Sequence, residues 1–196
     1  MRQFACLAAI VFVVLAVGCK AAPEDQALEL VAAYGGEVRT DSAGHVTAVD
    51  LSDTPAGDDV IAALAVFPTI QTLNCTNAER ITGQGFADWA SNASIESLYL
   101  VSTALDDAGL QQIGRLKSLK TLQLGHTKIT DVGLPALDHL SNLETLSLSN
   151  TAVSDAGLIS LRDLRKLSTL MVRDTGATPR GVLELRRMLP DARVLK

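Results

Sequence analysis

Leu143 to Leu158 reads LETLSLSNTAVSDAGL, and 24 residues earlier Leu119 to Leu134 reads LKTLQLGHTKITDVGL. Each copy holds a short apolar-x-apolar strand, a Thr at a turn, an Ile or Val, an Asp close to a Gly, and then Leu at every third residue. The strand centres run Val49, Leu73, Leu98, Leu122, Leu146, Leu170 and Val194, in steps of 24, 25, 24, 24, 24 and 24 residues. One such unit cannot bury its apolar side alone, so neighbouring units must stack on a shared core. The single irregular step places an extra residue between Leu73 and Ile81. Beyond it, Gly85, Phe86, Trp89 and Ile95 regain the phase of Gly109, Leu110, Ile113 and Leu119, which predicts a bulge in that turn.

Strand alternation places the central apolar residues on the core side and their neighbours on the other face. Parallel pairing of successive strands then makes one curved sheet. The return legs, such as Leu134, Leu137 and Leu140, carry an apolar residue every third position and predict short helices or 3₁₀ turns on the convex side. Pro135 belongs in the first turn of its leg, where no backbone bond is lost.

These phased units, and Ile129-Thr130-Asp131-Val132-Gly133-Leu134 most closely, resemble the leucine-rich repeat family, and within it the ribonuclease-inhibitor-like or cysteine-containing kind. The resemblance covers about Val46 to Val194. It implies an α/β solenoid with a curved parallel sheet on the concave side, short helices on the convex side, and a protein partner. Where the family carries Cys or Asn, this chain has Thr54, Thr103, Thr127, Thr151 and Thr175, as bacterial members do. A hydroxyl can both donate and accept inside the turn.

The concave face is where a partner is expected. Alternation exposes Ala48, Thr72, Ser97, Thr121, Thr145 and Thr169 in one row, and Asp50, Asn74, Tyr99, Gln123, Ser147 and Met171 in the next. A third row holds Ser52, Thr76, Val101, Gly125, Ser149 and Arg173. Asp50, Asn74, Tyr99, Gln123, Ser147, Met171 and Arg173 are the candidate ligand-binding residues. Tight interfaces concentrate Trp, Tyr and Arg at their centre, and only Tyr99, Met171 and Arg173 approach that description.

The start of the chain reads differently. Met1-Arg2-Gln3 is a short basic opening, and Phe4 to Val17 is an apolar run suited to a signal peptide and too short to span a bilayer comfortably. Leu15-Ala16-Val17-Gly18-Cys19 resembles a bacterial lipobox, which implies export of residues 1–18, lipidation of Cys19, a short tether over residues 19–23, and a place at the bacterial cell envelope on the periplasmic or exterior side. Residues 24–45 read as a capping helix and a hairpin, and 46–196 as the repeat domain closed by a C-terminal cap. The apolar Ala27, Leu28, Val31 and Tyr34 share one helical face, and Gly35-Gly36 stops the helix.

The 196 residues carry 17 Lys and Arg against 22 Asp and Glu, a net charge of -5, and loss of residues 1–18 removes one more positive charge. That total offers no general attraction for nucleic acid or anionic lipid. Cys75 falls at an inward strand position and reads as a core thiol. Asp107, Asp131 and Asp155 recur at one phase. A row of calcium sites would need glycine-dense binding turns, which are absent, so helix capping by each Asp, or by the Thr or Ser before it, is the expectation. His45, His126 and His139 have no metal-ligand spacing, and no Gly-x-Ser-x-Gly elbow, dinucleotide loop or P-loop occurs. Neither an enzyme nor a cofactor is expected. The main functional reading is a membrane-anchored interaction module; the alternative is a structural envelope protein that associates with itself.

Overall fold

The computed structural model describes residues 22–91 and 94–196, the side chains of residues 90 and 91 excepted. The predicted signal peptide 1–18 and Cys19 lie outside the described residues. Eight strands form one sheet in chain order: β1 Glu37–Thr40, β2 Val46–Asp50, β3 Thr72–Asn74, β4 Ser97–Tyr99, β5 Thr121–Gln123, β6 Thr145–Ser147, β7 Thr169–Met171 and β8 Arg193–Leu195. The β1–β2 pair is an antiparallel hairpin. Every later pair is parallel, and Val49, Leu73, Leu98, Leu122, Leu146, Leu170 and Val194 stand side by side. A fixed sequence period sets this register, because a slip of one residue would turn the whole aliphatic row out into water.

The return legs are short helices, α2 Asp58–Leu64, α3 Asp107–Ile113, α4 Asp155–Ser160 and α5 Pro179–Met188, interleaved with 3₁₀ turns at Gln84–Ser91, Leu134–Leu137 and Leu161–Asp163. Pro135 lies in the first turn of its 3₁₀ segment, where its missing N–H has no partner to lose. The preceding helix, α1 Pro23–Ala33, begins on a proline with Glu24 and Asp25 in its first turn. It ends where Gly35 takes a φ of +81°, letting the Gly36 N–H bond the Val31 carbonyl at 2.9 Å. Ala27 and Val31 are buried in the common core.

Two columns of turn residues order the solenoid, one by bonds within each unit and one by bonds between units. The Thr54, Thr103, Thr127, Thr151 and Thr175 hydroxyls each donate to the carbonyl three residues back, at 2.6–2.9 Å. One position earlier, Asp53, Asn77, Ser102, His126, Asn150 and Asp174 all have positive φ, a conformation that Asn and Asp tolerate better than most residues. Each of the first five donates its N–H to a carbonyl of the next unit. Asn77 keeps this phase while Arg80 bridges Gly57, so the extra residue of the irregular unit lies in Ala78–Ile81, where Ala78 replaces the usual Thr.

Among the described residues, no buried side-chain nitrogen or oxygen lacks a hydrogen-bond partner. Trp89 is fully buried, as its phase predicts, with its indole N–H donating to the Ile61 carbonyl at 2.8 Å and its ring edge-on to Phe86.

Candidate functional site

The row nominated from sequence exists as one register line: Asp50, Asn74, Tyr99, Gln123, Ser147 and Met171 are consecutive strand partners. The hairpin extends it. Glu37 stands opposite Asp50, and Arg39 opposite Ala48, and directly opposed residues of an antiparallel pair share a face. Together Glu37, Arg39, Asp50, Asn74, Thr76 and Tyr99 line a cleft of about 260 Å³ at the first end of the concave face.

The polar floor of this cleft is held in place by its own hydrogen bonds. Asp50 Oδ1 accepts from the Ser52 amide at 2.9 Å, the Ser52 hydroxyl at 2.7 Å and the Asn74 Nδ2 at 3.1 Å. Asn74 Oδ1 repeats the pattern with Thr76, at 3.1 Å from the amide and 2.8 Å from the hydroxyl. Burial opposes the charge on Asp50, but the donors from Ser52 and Asn74 and the nearby Arg39 outweigh it and hold the carboxyl below its usual range. Tyr99 is half-buried, and its hydroxyl makes no hydrogen bond among the described residues. It is thus the aromatic surface left for a ligand. The arrangement can bind through hydrogen bonds and ring contact. Cys75 is fully buried, and burial pushes its thiol well above the ordinary value.

The remaining nominated residues are spread out. Gln123 and Met171 are half-buried farther along the row, and Arg173 is exposed in the turn beyond β7. Ser147 is a correction: it is 6% exposed, because its short side chain lies between the longer Gln123 and Met171. Glu37 and Arg39 were missed because the rows were counted only from β2, although the hairpin was legible and fixes which of its residues face inward.

Of the two capping readings of the Asp row, the Thr or Ser before the Asp is the cap, and the Asp has a different role. Each Asp reaches forward into the next unit: Asp107, Asp131 and Asp155 accept the backbone N–H of Thr130, Ser154 and Thr178 at 2.8, 2.7 and 2.6 Å, and their hydroxyls at 2.6, 2.5 and 2.6 Å. Those hydroxyls in turn accept from Val132, Ala156 and Gly181 amides at the start of the following leg. The cap is therefore the Thr or Ser, and the carboxylate is an inter-unit brace whose two oxygens are both occupied. This explains the Asp-x-Gly spacing, since a Cβ at Gly133, Gly157 or Gly181 would collide with the carboxylate of the preceding unit.

A family model described as leucine rich repeat matches residues 93–153. The fold is a leucine-rich repeat solenoid. No curated protein matches it in sequence. Among solved structures, the repeat domain is similar to internalin C2 of Listeria monocytogenes, with a TM-score of 0.60 and 20% identity over 86% of this chain and 80% of that one. It is similar also to the HAESA receptor kinase ectodomain of Arabidopsis, solved with an extended IDA peptide hormone, with a TM-score of 0.59 and 19% identity over 81% of this chain. The chain spans 27% of that ectodomain and 44% of a second Listeria internalin, inlF, which it matches with a TM-score of 0.47 and 18% identity.

Proposed function

We propose that this leucine-rich repeat protein is a non-enzymatic interaction module of the ribonuclease-inhibitor-like kind, lipid-anchored through Cys19 at a bacterial cell envelope, that holds a protein segment on its concave face. The observation that carries the concave site is the cleft between β1 and β4, where three nominated residues meet Glu37 and Arg39 of β1 around a tyrosine hydroxyl that has no hydrogen-bond partner among the described residues. The HAESA ectodomain of similar fold holds a peptide hormone, which agrees with a polypeptide ligand. The anchor is supported by the sequence alone: a basic start, an apolar run and a cysteine after small residues. No helix among the described residues is long and apolar enough to cross a membrane.

Self-association by continuing the sheet has less support. Leu195 turns its carbonyl towards β7, so that of Val194 points away from the sheet, and Arg186 donates to it at 3.0 Å. That bond occupies an acceptor a further strand would need.

Two measurements test the proposal. Affinity capture from detergent-solubilised envelope, comparing wild type with Tyr99→Ala plus Arg39→Ala, should lose the partner in the variant; equal recovery sinks the concave site. Labelling with a radioactive fatty acid should mark the wild type and spare Cys19→Ser, and label on both would remove the anchor.

A further inference from the structure

The overall negative charge hides a sharp division along the solenoid. Residues 22–154 hold six Lys and Arg against 17 Asp and Glu, whereas residues 155–196 hold nine against five. The exposed aliphatics are divided in the same way. The large hydrophobics exposed among the described residues are Val132 at 79%, Ile159 at 40% and Leu183 at 53%, all on the last three return legs. Ile159 and Leu183 occupy equivalent positions on the neighbouring α4 and α5, with the exposed Pro135 at that position one leg earlier. The three earlier legs place Ala62, Ala87 and Gln111 there.

The basic residues flank these aliphatics. On α5, Arg180 precedes Leu183 by three positions and Arg187 follows it by four; Arg162 follows Ile159 by three. Residues three and four apart share a helical face, so the convex surface of the last two units presents aliphatic side chains beside exposed guanidinium groups, two of them paired at the surface, Arg162 with Asp163 at 3.4 Å and Arg180 with Glu184 at 3.2 Å. Arginine can lay its methylenes along an apolar surface while its charge stays among polar groups. Such a face suits a boundary that is apolar beneath and anionic on top, which is the chemistry of a lipid headgroup layer.

We infer that the convex face around Ile159 and Leu183 docks on an anionic lipid surface. This is a different face from the concave cleft, and it requires no lipid on Cys19. The positive end would turn towards the bilayer while the acidic first units are repelled from it, so contact is confined to one part of the solenoid and the concave face stays open.

A chain beginning at Ala22 serves for the test, since the core side chains, from Ala27 to Val194, all lie within it. It should co-sediment with vesicles containing phosphatidylglycerol, far less with phosphatidylcholine alone, and less as salt rises. A surface-bound Arg is worth a factor of about five in affinity, so Arg162→Gln, Arg180→Gln and Arg187→Gln together should weaken binding by on the order of 100-fold. Ile159→Ser plus Leu183→Ser should also weaken it, with both variants still unfolding in one cooperative thermal transition, since none of the five residues belongs to the core. Equal partition onto neutral and anionic vesicles, undiminished binding by both variants, or binding of a polyglutamate peptide without binding of vesicles would each overturn the inference.

Discussion

The junctions after Asp107 are copies of one another; the one before it is built in another way. From Asp107 onward, each unit extends a carboxylate into the next, and a hydroxyl passes the contact to the following leg. Asp58 does the same at the first junction, accepting from the Thr82 hydroxyl at 2.5 Å and from the Gly83 and Gly85 amides. The next unit has Gly83 where the Asp would be. Its φ is +94°, and a Cβ there would lie 2.8 Å from the Gly109 Cα, so two backbones meet where a side-chain brace would otherwise run. The same unit lacks the turn Thr, has the extra residue, and holds the buried Phe86 and Trp89. Its cohesion comes from two rings 5.3 Å apart and an indole N–H that reaches back to Ile61. A solenoid therefore tolerates loss of one forward brace in a unit that a larger apolar body ties to the unit before it.

Trp89→Ala should break the contrast most severely. It empties a ring-sized volume and leaves the Ile61 carbonyl without its donor, at a cost of about 3–5 kcal/mol by urea denaturation. Leu137→Ala, at the same phase in the regular part, should cost about 2–5 kcal/mol and fall below the Trp89 value. A larger loss at Leu137 would mean that the rings are not what holds the irregular unit.

Asp131→Ala attacks the other half of the comparison. It strips the Ser154 amide and hydroxyl of an ionic acceptor, and bonds to charged groups contribute about 1.5–3 kcal/mol each. The expected outcome is destabilisation towards the low end of that range, since Asp131 is partly exposed and water can replace it. A neutral result would show that the regular junctions rest on their aliphatic layers alone. Gly83→Asp, which restores the repeat pattern on paper, should destabilise by about 1–3 kcal/mol, because positive φ is strained for any side chain and Gly109 is in the way. A stabilised variant would show that the two backbones can part and admit the missing brace.

What could be read beforehand follows from what each residue contacts. Strand register, the core column and the phase of Trp89 were legible because each depends on one side chain meeting its own equivalent 24 or 25 residues away. The role of Asp131 was not, because its partner is a hydroxyl in a different unit and a capping role fits the same letters. The positive-φ column at Asp53, Asn77, Ser102, His126, Asn150 and Asp174 could have been found from the Asp and Asn that fill four of its six places, yet Ser102 and His126 blur it. At the site, Asp50, Asn74 and Tyr99 were placed by alternation alone. Ser147 was misjudged because alternation gives a direction, whereas exposure depends on the length of the flanking side chains.

The subtlest test concerns the charge in the relay. The Thr178 hydroxyl, then its amide, hold the Asp155 carboxyl below its ordinary range, with Lys196 and Arg180 adding to the effect. A carboxyl whose folded value is depressed contributes stability that is complete above its unfolded value, near 3.8, and is lost as pH falls through the folded one. The advantage of wild type over Asp155→Asn in thermal midpoint should therefore be constant above about pH 5 and shrink on further acidification. Asp41, Asp50 and Asp59 are depressed as well, so both proteins lose stability in acid and only the difference between them isolates the brace. Asparagine can still accept one bond from Thr178 but not two with full charge, which keeps the expected difference small. A difference that stays constant through the acid range would mean that the brace works by shape, and that the repeated Asp is a spacer between units with no dependence on its charge.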